Sequence, residues 1–344
     1  MLKITKFKIS SNRLQNFSGF LALTGLIFTS NAALAAEGFR VRFPLAGTLG
    51  GEMLAPITPG IFGSLVATQI SVNKLTDNAG APYRTALSAL PPATVDVGID
   101  LQQSIYNLIL GYTTTEKYAD GHLSLIVNLP YSTIDRSITA TSSLPGFFQN
   151  LANTLAQQTS GQVKGLGDLE VTAAWSQKTE RLKLVLGMSL SSPTGDHGNA
   201  SGINVGYGNF YTLRTGAAIA CQATEKLTIG SRLSLGFNTK NRDNNWQSGD
   251  FYALDVAAGY TTPFGVLGTQ FVRVEQYTND LGAKTIVNAP ITDGNRFVSN
   301  GAGLFFTAPI SPIGAALNLS YMKTLESRNA MSGSYIQARL SKMF

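Results

Sequence analysis

Residues 181–190, RLKLVLGMSL, place a leucine or methionine at every second position. In an extended chain these side chains share one face, which carries Leu182, Leu184, Leu186, Met188 and Leu190. The other face carries Arg181, Lys183 and Ser189. A period of two indicates a β-strand with one apolar face. About 9–11 residues also suffice for a tilted strand to cross a bilayer.

The same alternation is absent before residue 61 and recurs in segments along the rest of the chain. We predict twelve strands, an even number as expected for a bacterial membrane barrel. They are residues 61–72, 96–112, 119–130, 166–177, 181–192, 208–221, 226–238, 250–261, 265–278, 296–307, 310–322 and 333–344.

The predicted connections alternate in length. The long ones are 73–95, 131–165, 193–207, 239–249, 279–295 and 323–332, and the short ones are 113–118, 178–180, 222–225, 262–264 and 308–309. Short periplasmic turns and long extracellular loops are typical of outer-membrane barrels, whereas a soluble β-sandwich has no reason to segregate them. The predicted fold is all-β: a membrane-spanning, antiparallel up-and-down β-barrel of about 12 strands, with both termini in the periplasm.

The N-terminus predicts export. Lys3, Lys6, Lys8 and Arg13 precede an apolar run over residues 20–28, and Ala33-Leu34-Ala35 follows. This order predicts a cleaved signal peptide over residues 1–35, and with the barrel it predicts the outer membrane. Cleavage removes four of the 26 Lys and Arg and none of the 20 Asp and Glu, so the net charge falls from +6 to +2. We therefore expect no nucleic-acid partner.

Two segments do not alternate. Residues 36–60 contain Pro44, Pro56 and Pro59 and are predicted to be irregular, lying either in the periplasm or as a plug in the lumen of the barrel 61–344. Within 131–165, Phe147, Phe148, Leu151 and Leu155 have helical spacing. They predict a short helix in an extracellular loop, folded into the channel as a constriction or packed across its mouth.

Charged residues in the strands are expected to face the lumen. The candidates by alternation are Asp100, Glu170, Lys183, Arg214, Arg232, Asp255, Arg273, Glu275 and Arg339. Both signs are present, and buried charges must be paired or hydrated. The pattern favours ion networks between strands with a narrow water path over a wide, ion-selective pore. Aromatic residues near strand ends, Phe305 among them, suggest rings of side chains at the membrane interfaces.

No arrangement of residues predicts catalysis, a metal site or a cofactor. His122 and His197 lie in no metal-spaced cluster, and Cys221 is alone. A hydrolase would need His122 to be oriented by a third group beside a strand serine. We therefore predict that the chain is not an enzyme, with an outer-membrane hydrolase as the weakest alternative.

The last strand ends in an aromatic residue. Ile336, Ala338 and Leu340 alternate with polar residues before Phe344. This ending resembles the signal by which the barrel assembly machinery recognises its clients. The expected partners are that machinery, outer-membrane lipid and lipopolysaccharide, and a small-molecule solute.

Short motifs resemble a known family. Gly165-Leu166-Gly167-Asp168 precedes a strand, and Ser191-Ser192-Pro193-Thr194-Gly195-Asp196 closes the next one. Over about residues 160–344 the chain resembles the outer-membrane family associated with meta-pathway phenol degradation. The resemblance implies a barrel that moves aromatic or other hydrophobic compounds across the outer membrane, and it carries no catalytic residues. We predict a passive uptake channel; the alternative is a non-transporting surface barrel with an adhesion or assembly role.

Overall fold

The chain forms an antiparallel β-barrel. The computed structural model describes residues 40–42, 48–87, 93–197, 203–282 and 296–344. The predicted signal peptide lies outside these ranges, as do residues 36–39 and 43–47 of the predicted irregular segment.

Fourteen strands and two α-helices occur in the described residues. The strands are β1 Gly60–Leu75, β2 Arg84–Leu87, β3 Ala93–Thr113, β4 His122–Ser142, β5 Gly161–Leu166, β6 Glu170–Lys178, β7 Leu182–Ser191, β8 Thr212–Gln222, β9 Leu227–Asn238, β10 Phe251–Thr262, β11 Gly265–Gln276, β12 Val298–Ile310, β13 Ala315–Arg328 and β14 Met331–Met343. The helices are α1 Leu49–Glu52 and α2 Phe147–Gln158, and a 3₁₀ turn spans Ser311–Ile313.

The barrel closes between the first and last strands, and its described strands occupy twelve places. β1 pairs with β14 on one side and with β3 on the other. β5 and β6 pair with successive stretches of β4 and so fill one place together. β2 is an extra strand on the outer half of β3. The predicted twelve-strand barrel is confirmed, and its closure leaves no open sheet edge to be buried in lipid.

An apolar band surrounds the outer surface near the short-turn end. On β4 the exposed side chains are Leu123, Leu125, Val127, Leu129 and Tyr131. At about 3.4 Å per residue the stretch from Leu123 to Tyr131 runs about 27 Å along the strand. With the usual tilt of the strands this is close to the roughly 25 Å apolar band of outer-membrane barrels.

Beyond the band the polarity of the two faces reverses. The outer face of β3 continues from Tyr106 to exposed Asp100, while Ile99 and Leu101 are buried inside. On β11, Val272 and Val274 are buried inside, and Arg273 and Glu275 form an ion pair of 2.6 Å on the opposite face. The barrel wall here projects into water and encloses an apolar core.

This reversal corrects part of the predicted lumen. Asp100, Arg273 and Glu275 lie on the outer surface, not in the lumen. The prediction assumed that every charged strand residue avoids lipid by facing inward. Where water replaces lipid outside the barrel, that reason no longer applies.

One predicted long loop is wrong. β13 and β14 continue through 323–332 and are joined by Asn329 and Ala330 alone. Asn329 has φ of 47°, a left-handed conformation that asparagine tolerates better than most residues. The polar side chains that ended the predicted strand at residue 322 lie where the barrel has left the apolar band.

Helix α2 lies at the far ends of β3 and β4. Its buried Ala152 packs with Val95, beside Val97, Ala140 and Leu144. Val97 and Ala140 pair well beyond the Tyr106–Tyr131 pair of the same two strands, so α2 packs at this end of the wall and does not enter the membrane-spanning part of the lumen. None of the described helices is long and apolar enough to span a bilayer.

Candidate functional site

The described residues 40–42 and 48–55, which we term the N-terminal segment, lie inside the barrel. Leu49 and Met53 of this segment are buried and pack against inner-face residues Ala220, Ala257 and Phe305. The backbone of α1 sits directly on the wall, because a Cβ at Gly50 would overlap the ring of Phe305. Phe305 therefore faces the lumen and does not belong to a lipid-facing aromatic ring, as the sequence had suggested.

Glu52 connects two walls of the lumen, a contact we term the Glu52 anchor. One carboxylate oxygen accepts from Arg232 on β9 at 2.5 Å, and the other accepts from Arg339 on β14 at 3.2 Å. Arg232 also pairs with Asp255 at 2.7 Å. The result is a chain of alternating charges, Asp255–Arg232–Glu52–Arg339, which pairs each of these charges in the low-dielectric interior.

Lys183 holds the end of the same helix. Its Nζ donates to the carbonyl oxygens of Glu52 at 2.9 Å and Ala55 at 2.8 Å. A cation at the C-terminal end of a helical turn satisfies carbonyl groups that have no partner within the helix. Lys183 thus fixes the chain where it leaves α1 towards β1.

Arg42 makes a second attachment, which we term the Arg42 anchor. Its guanidinium donates to Asp168 at 2.6 Å and to the carbonyl oxygens of Gly208 at 3.1 Å and of Phe210. Its Cζ lies 4.1 Å from the centre of the Phe210 ring, a cation–π contact. The side chain is almost fully buried.

Arg214 supports the Arg42 anchor from the wall. It donates to the backbone carbonyl of Arg42 at 3.0 Å and to Ser189 at 3.2 Å, and it forms an ion pair with Glu170. Glu170 and Arg214 were both predicted from alternation. Their pairing also fixes the backbone of the N-terminal segment.

The motifs at residues 165–168 and 191–196 form the binding site for the Arg42 side chain. The carboxylate of Asp168 accepts from the backbone N–H groups of Gly195 and Tyr207, each at 3.0 Å. Thr194 Oγ1 accepts from the N–H of Leu169 at 2.8 Å. Gly195 packs so closely on Gly167 that a Cβ would overlap its backbone. The motifs therefore hold Asp168 in position towards Arg42.

Six of the nine predicted residues line the lumen, and all six belong to these contacts. Lys183, Arg214, Arg232 and Arg339 touch the N-terminal segment, whereas Glu170 and Asp255 reach it through an arginine. The sequence predicted that lumen charges pair between strands, but it missed Arg42 and Glu52 as partners. The available signal was the charge content of residues 40–55, which is limited to Arg40, Arg42 and Glu52.

The two histidines and the cysteine are not brought together. His122 contacts the carbonyl oxygen of Thr114 through Nδ1 at 2.7 Å, and His197 contacts that of Gly195 at 2.8 Å. Cys221 is exposed on the outer face of β8. The described ranges contain no group of three or more His, Cys, Asp or Glu residues placed to hold a metal ion.

Comparison with solved structures identifies the architecture. The chain is similar to a COG4313 outer membrane channel from Pseudomonas putida F1, with a TM-score of 0.64, 16% identity, and coverage of 84% of this chain and 97% of the other. The CymD monoaromatic hydrocarbon channel has a TM-score of 0.42 and 11% identity, and covers 91% of this chain and 98% of its own. The β domain of the Bordetella autotransporter BrkA has a TM-score of 0.44 and 12% identity, and covers 82% and 99%. The first of these three is close enough to inform the fold.

Sequence comparison identifies the family. No curated protein matches the chain. The family described as "Putative MetA-pathway of phenol degradation" matches residues 82–340, which is most of the barrel. The chain is therefore a member of this family and a β-barrel of the bacterial outer membrane.

Proposed function

We propose that this protein is a channel for passive uptake of small aromatic or other hydrophobic compounds across the outer membrane. The family description supports the compound class, and the similar Pseudomonas putida structure, described as a channel, supports the mode. The short turns then lie in the periplasm and the long loops outside.

The position of the N-terminal segment is the observation that carries the proposal. Barrels of about eight strands are filled by their own side chains, and barrels of 16–18 strands are open. Twelve strands leave a space that this barrel fills with residues 40–42 and 48–55. Because the filler is attached by polar contacts and a small apolar patch, its displacement would open a passage without breaking a strand.

We therefore propose that the N-terminal segment, described inside the barrel at residues 40–42 and 48–55, acts as a plug in the lumen. The plug has two described attachments, the Arg42 anchor and the Glu52 anchor. Ion pairs and hydrogen bonds suit a reversible plug, because water can replace each partner when the segment leaves.

Uptake by cells tests the proposal. The protein is expressed in a Gram-negative host depleted of its general porins, and initial entry of radiolabelled phenol and benzoate is measured with and without the protein. We expect faster entry of at least one aromatic solute, with a rate that rises in proportion to its external concentration. Folded protein in the outer membrane that speeds entry of neither solute, and gives no conductance in planar bilayers, would contradict the channel function.

A further inference from the structure

The carboxylate of Glu52 lies in a site whose hydrogen-bond donors belong to the barrel wall. Arg339 directs two N–H groups at one oxygen, each at 3.2 Å, and Arg232 donates to the other. β9 and β14 are five places apart in the twelve-place barrel, so the two guanidinium groups approach from nearly opposite walls. Their donors converge on a single carboxylate, and hydrogen bonds between oppositely charged groups are stronger than those between neutral groups.

The wall is left with excess positive charge when Glu52 is absent. Arg232 keeps Asp255 as a partner. In the described part of the chain, the carboxylate partner of Arg339 is Glu52, and Lys183 donates to carbonyl groups of the same segment. A partly buried cation without a partner is unfavourable, so an anion entering the vacated place is stabilised.

Two buried hydrogen-bond donors on β14 are unused. Nε of Arg339 and the hydroxyl of Tyr335 are buried and have no hydrogen-bond partner among the described residues. Both residues are on the inner face of β14, four positions apart. Buried donors are nearly always satisfied, so the unsatisfied Nε of Arg339 gives this guanidinium one more donor than the Glu52 carboxylate uses.

An apolar surface adjoins these donors. Leu49 and Met53, which flank Glu52 in the sequence, cover Ala220, Ala257 and Phe305 on the wall. If α1 leaves, this surface and the aromatic ring of Phe305 become available beside the guanidinium groups. A ligand that matches both features has a flat apolar body and a carboxylate.

We infer that the lumen contains a binding site for aromatic carboxylates, formed by Arg232, Arg339 and the apolar wall at Phe305, and that α1 occupies it as an internal mimic of the solute. This inference rests on the proposed channel function and narrows its substrate class from aromatic compounds in general to aromatic acids. The solute and Glu52 compete for the same two arginines, so the arrival of solute favours release of the plug.

Binding of benzoate to the full-length protein tests this site. The Glu52→Ala variant, which vacates the carboxylate position, is purified in detergent and titrated with benzoate or with its neutral isostere benzamide by saturation-transfer NMR. We expect saturable binding of benzoate and much weaker binding of benzamide. Adding Arg339→Gln should weaken benzoate binding by about tenfold or more, because it removes a charge-assisted pair of hydrogen bonds. Arg339→Lys should restore part of that loss.

Matched controls separate the site from general electrostatics. Lys117→Gln removes an exposed positive charge from the connection between β3 and β4, and it should leave benzoate binding unchanged. Circular dichroism and heat-modifiable migration report whether each variant is folded. If the variant with Arg339→Gln is not folded, benzoate binding is compared between Glu52→Ala alone and Glu52→Ala with Arg339→Lys. Equal binding of benzoate and benzamide, or no response to Arg339 substitution in folded protein, overturns the inference. If the Glu52→Ala variant conducts and admits phenol but does not bind benzoate, the proposed binding site is wrong and the proposed channel function is retained. If no conductance and no uptake are seen, the channel function itself is overturned.

Discussion

At the scale of single residues, Arg42 and Asp168 form the pair that holds the upper part of the plug. Alternation located Glu170, Arg214 and the other lumen charges, because a strand has only two faces. It could not locate Arg42 or Glu52, since an irregular segment has no period and its partners are more than 100 residues away in sequence.

The first prediction concerns Asp168→Asn. It removes a charge-assisted hydrogen bond, which typically contributes about 1.5–3 kcal/mol, while the strands keep their backbone pairing. We expect faster hydrogen–deuterium exchange in peptides covering residues 40–55, with little change in the strands. Asp120→Asn, at an exposed position with φ of 61° that asparagine tolerates, is the control. Unchanged exchange in the plug peptides would refute the Arg42 anchor.

A second residue-scale prediction concerns Gly50→Ala. The added Cβ would overlap the ring of Phe305, so α1 must move away from the wall. We expect a higher conductance in planar bilayers and an unchanged unfolding temperature of the barrel. Gly165→Ala is a matched control, since its nearest neighbour to a new Cβ is a side-chain atom of Val205 at 3.9 Å. Equal conductance of the two variants would show that α1 is not seated as described.

At the scale of secondary-structure elements, the medium outside the barrel, lipid or water, determines which face of a strand is apolar. Within the apolar band lipid demands an apolar side chain at every second position, so Arg181–Leu190 and its counterparts were predictable. Beyond the band, water lies outside and an apolar core inside. The alternation there has the opposite sense. A rule that places every charged side chain inside therefore fails for Asp100, Arg273 and Glu275, and the polar residues of 323–332 resemble a loop.

Cysteine labelling tests this reversal. In a Cys221→Ser background, Asp100→Cys should react with a membrane-impermeant maleimide on intact cells, because its side chain is exposed to water beyond the band. Leu108→Cys lies on the same face of β3 within the band and should be protected by lipid. Equal protection of both positions would contradict the reversal, and labelling of Asp100→Cys only after permeabilisation would contradict the proposed orientation.

The final strand carries a prediction about assembly. Phe344 is highly exposed at the short-turn end, and its N–H donates to the carbonyl oxygen of Ile61 on β1, where the barrel closes. If its ring is the assembly signal, Phe344→Ala should lower the amount of folded barrel in the outer membrane, measured by heat-modifiable migration. Phe264→Ala removes another highly exposed ring at the same end and should not have this effect. Equal yields from both variants would argue against a recognition role for Phe344.

At the scale of the whole molecule, the contacts that stabilise the twelve-strand wall differ from those that retain the proposed plug. The wall is stabilised by continuous backbone pairing and the lipid-facing band, and we predict that it stays folded when the contacts of the plug are lost. The plug is retained through the Arg42 and Glu52 anchors and the patch formed by Leu49 and Met53. Under the proposed function, opening of the lumen would therefore require the loss of these local contacts only, with the barrel unchanged.

Single-channel conductance of the Arg42→Ala/Glu52→Ala double variant measures whether the N-terminal segment closes the lumen. The full-length variant and the unsubstituted protein are compared in planar bilayers at the same salt concentration, after circular dichroism has shown both to be folded. We expect a larger conductance or a higher open probability for the double variant. Identical conductance traces from the two folded proteins would contradict the claim that the N-terminal segment closes the lumen.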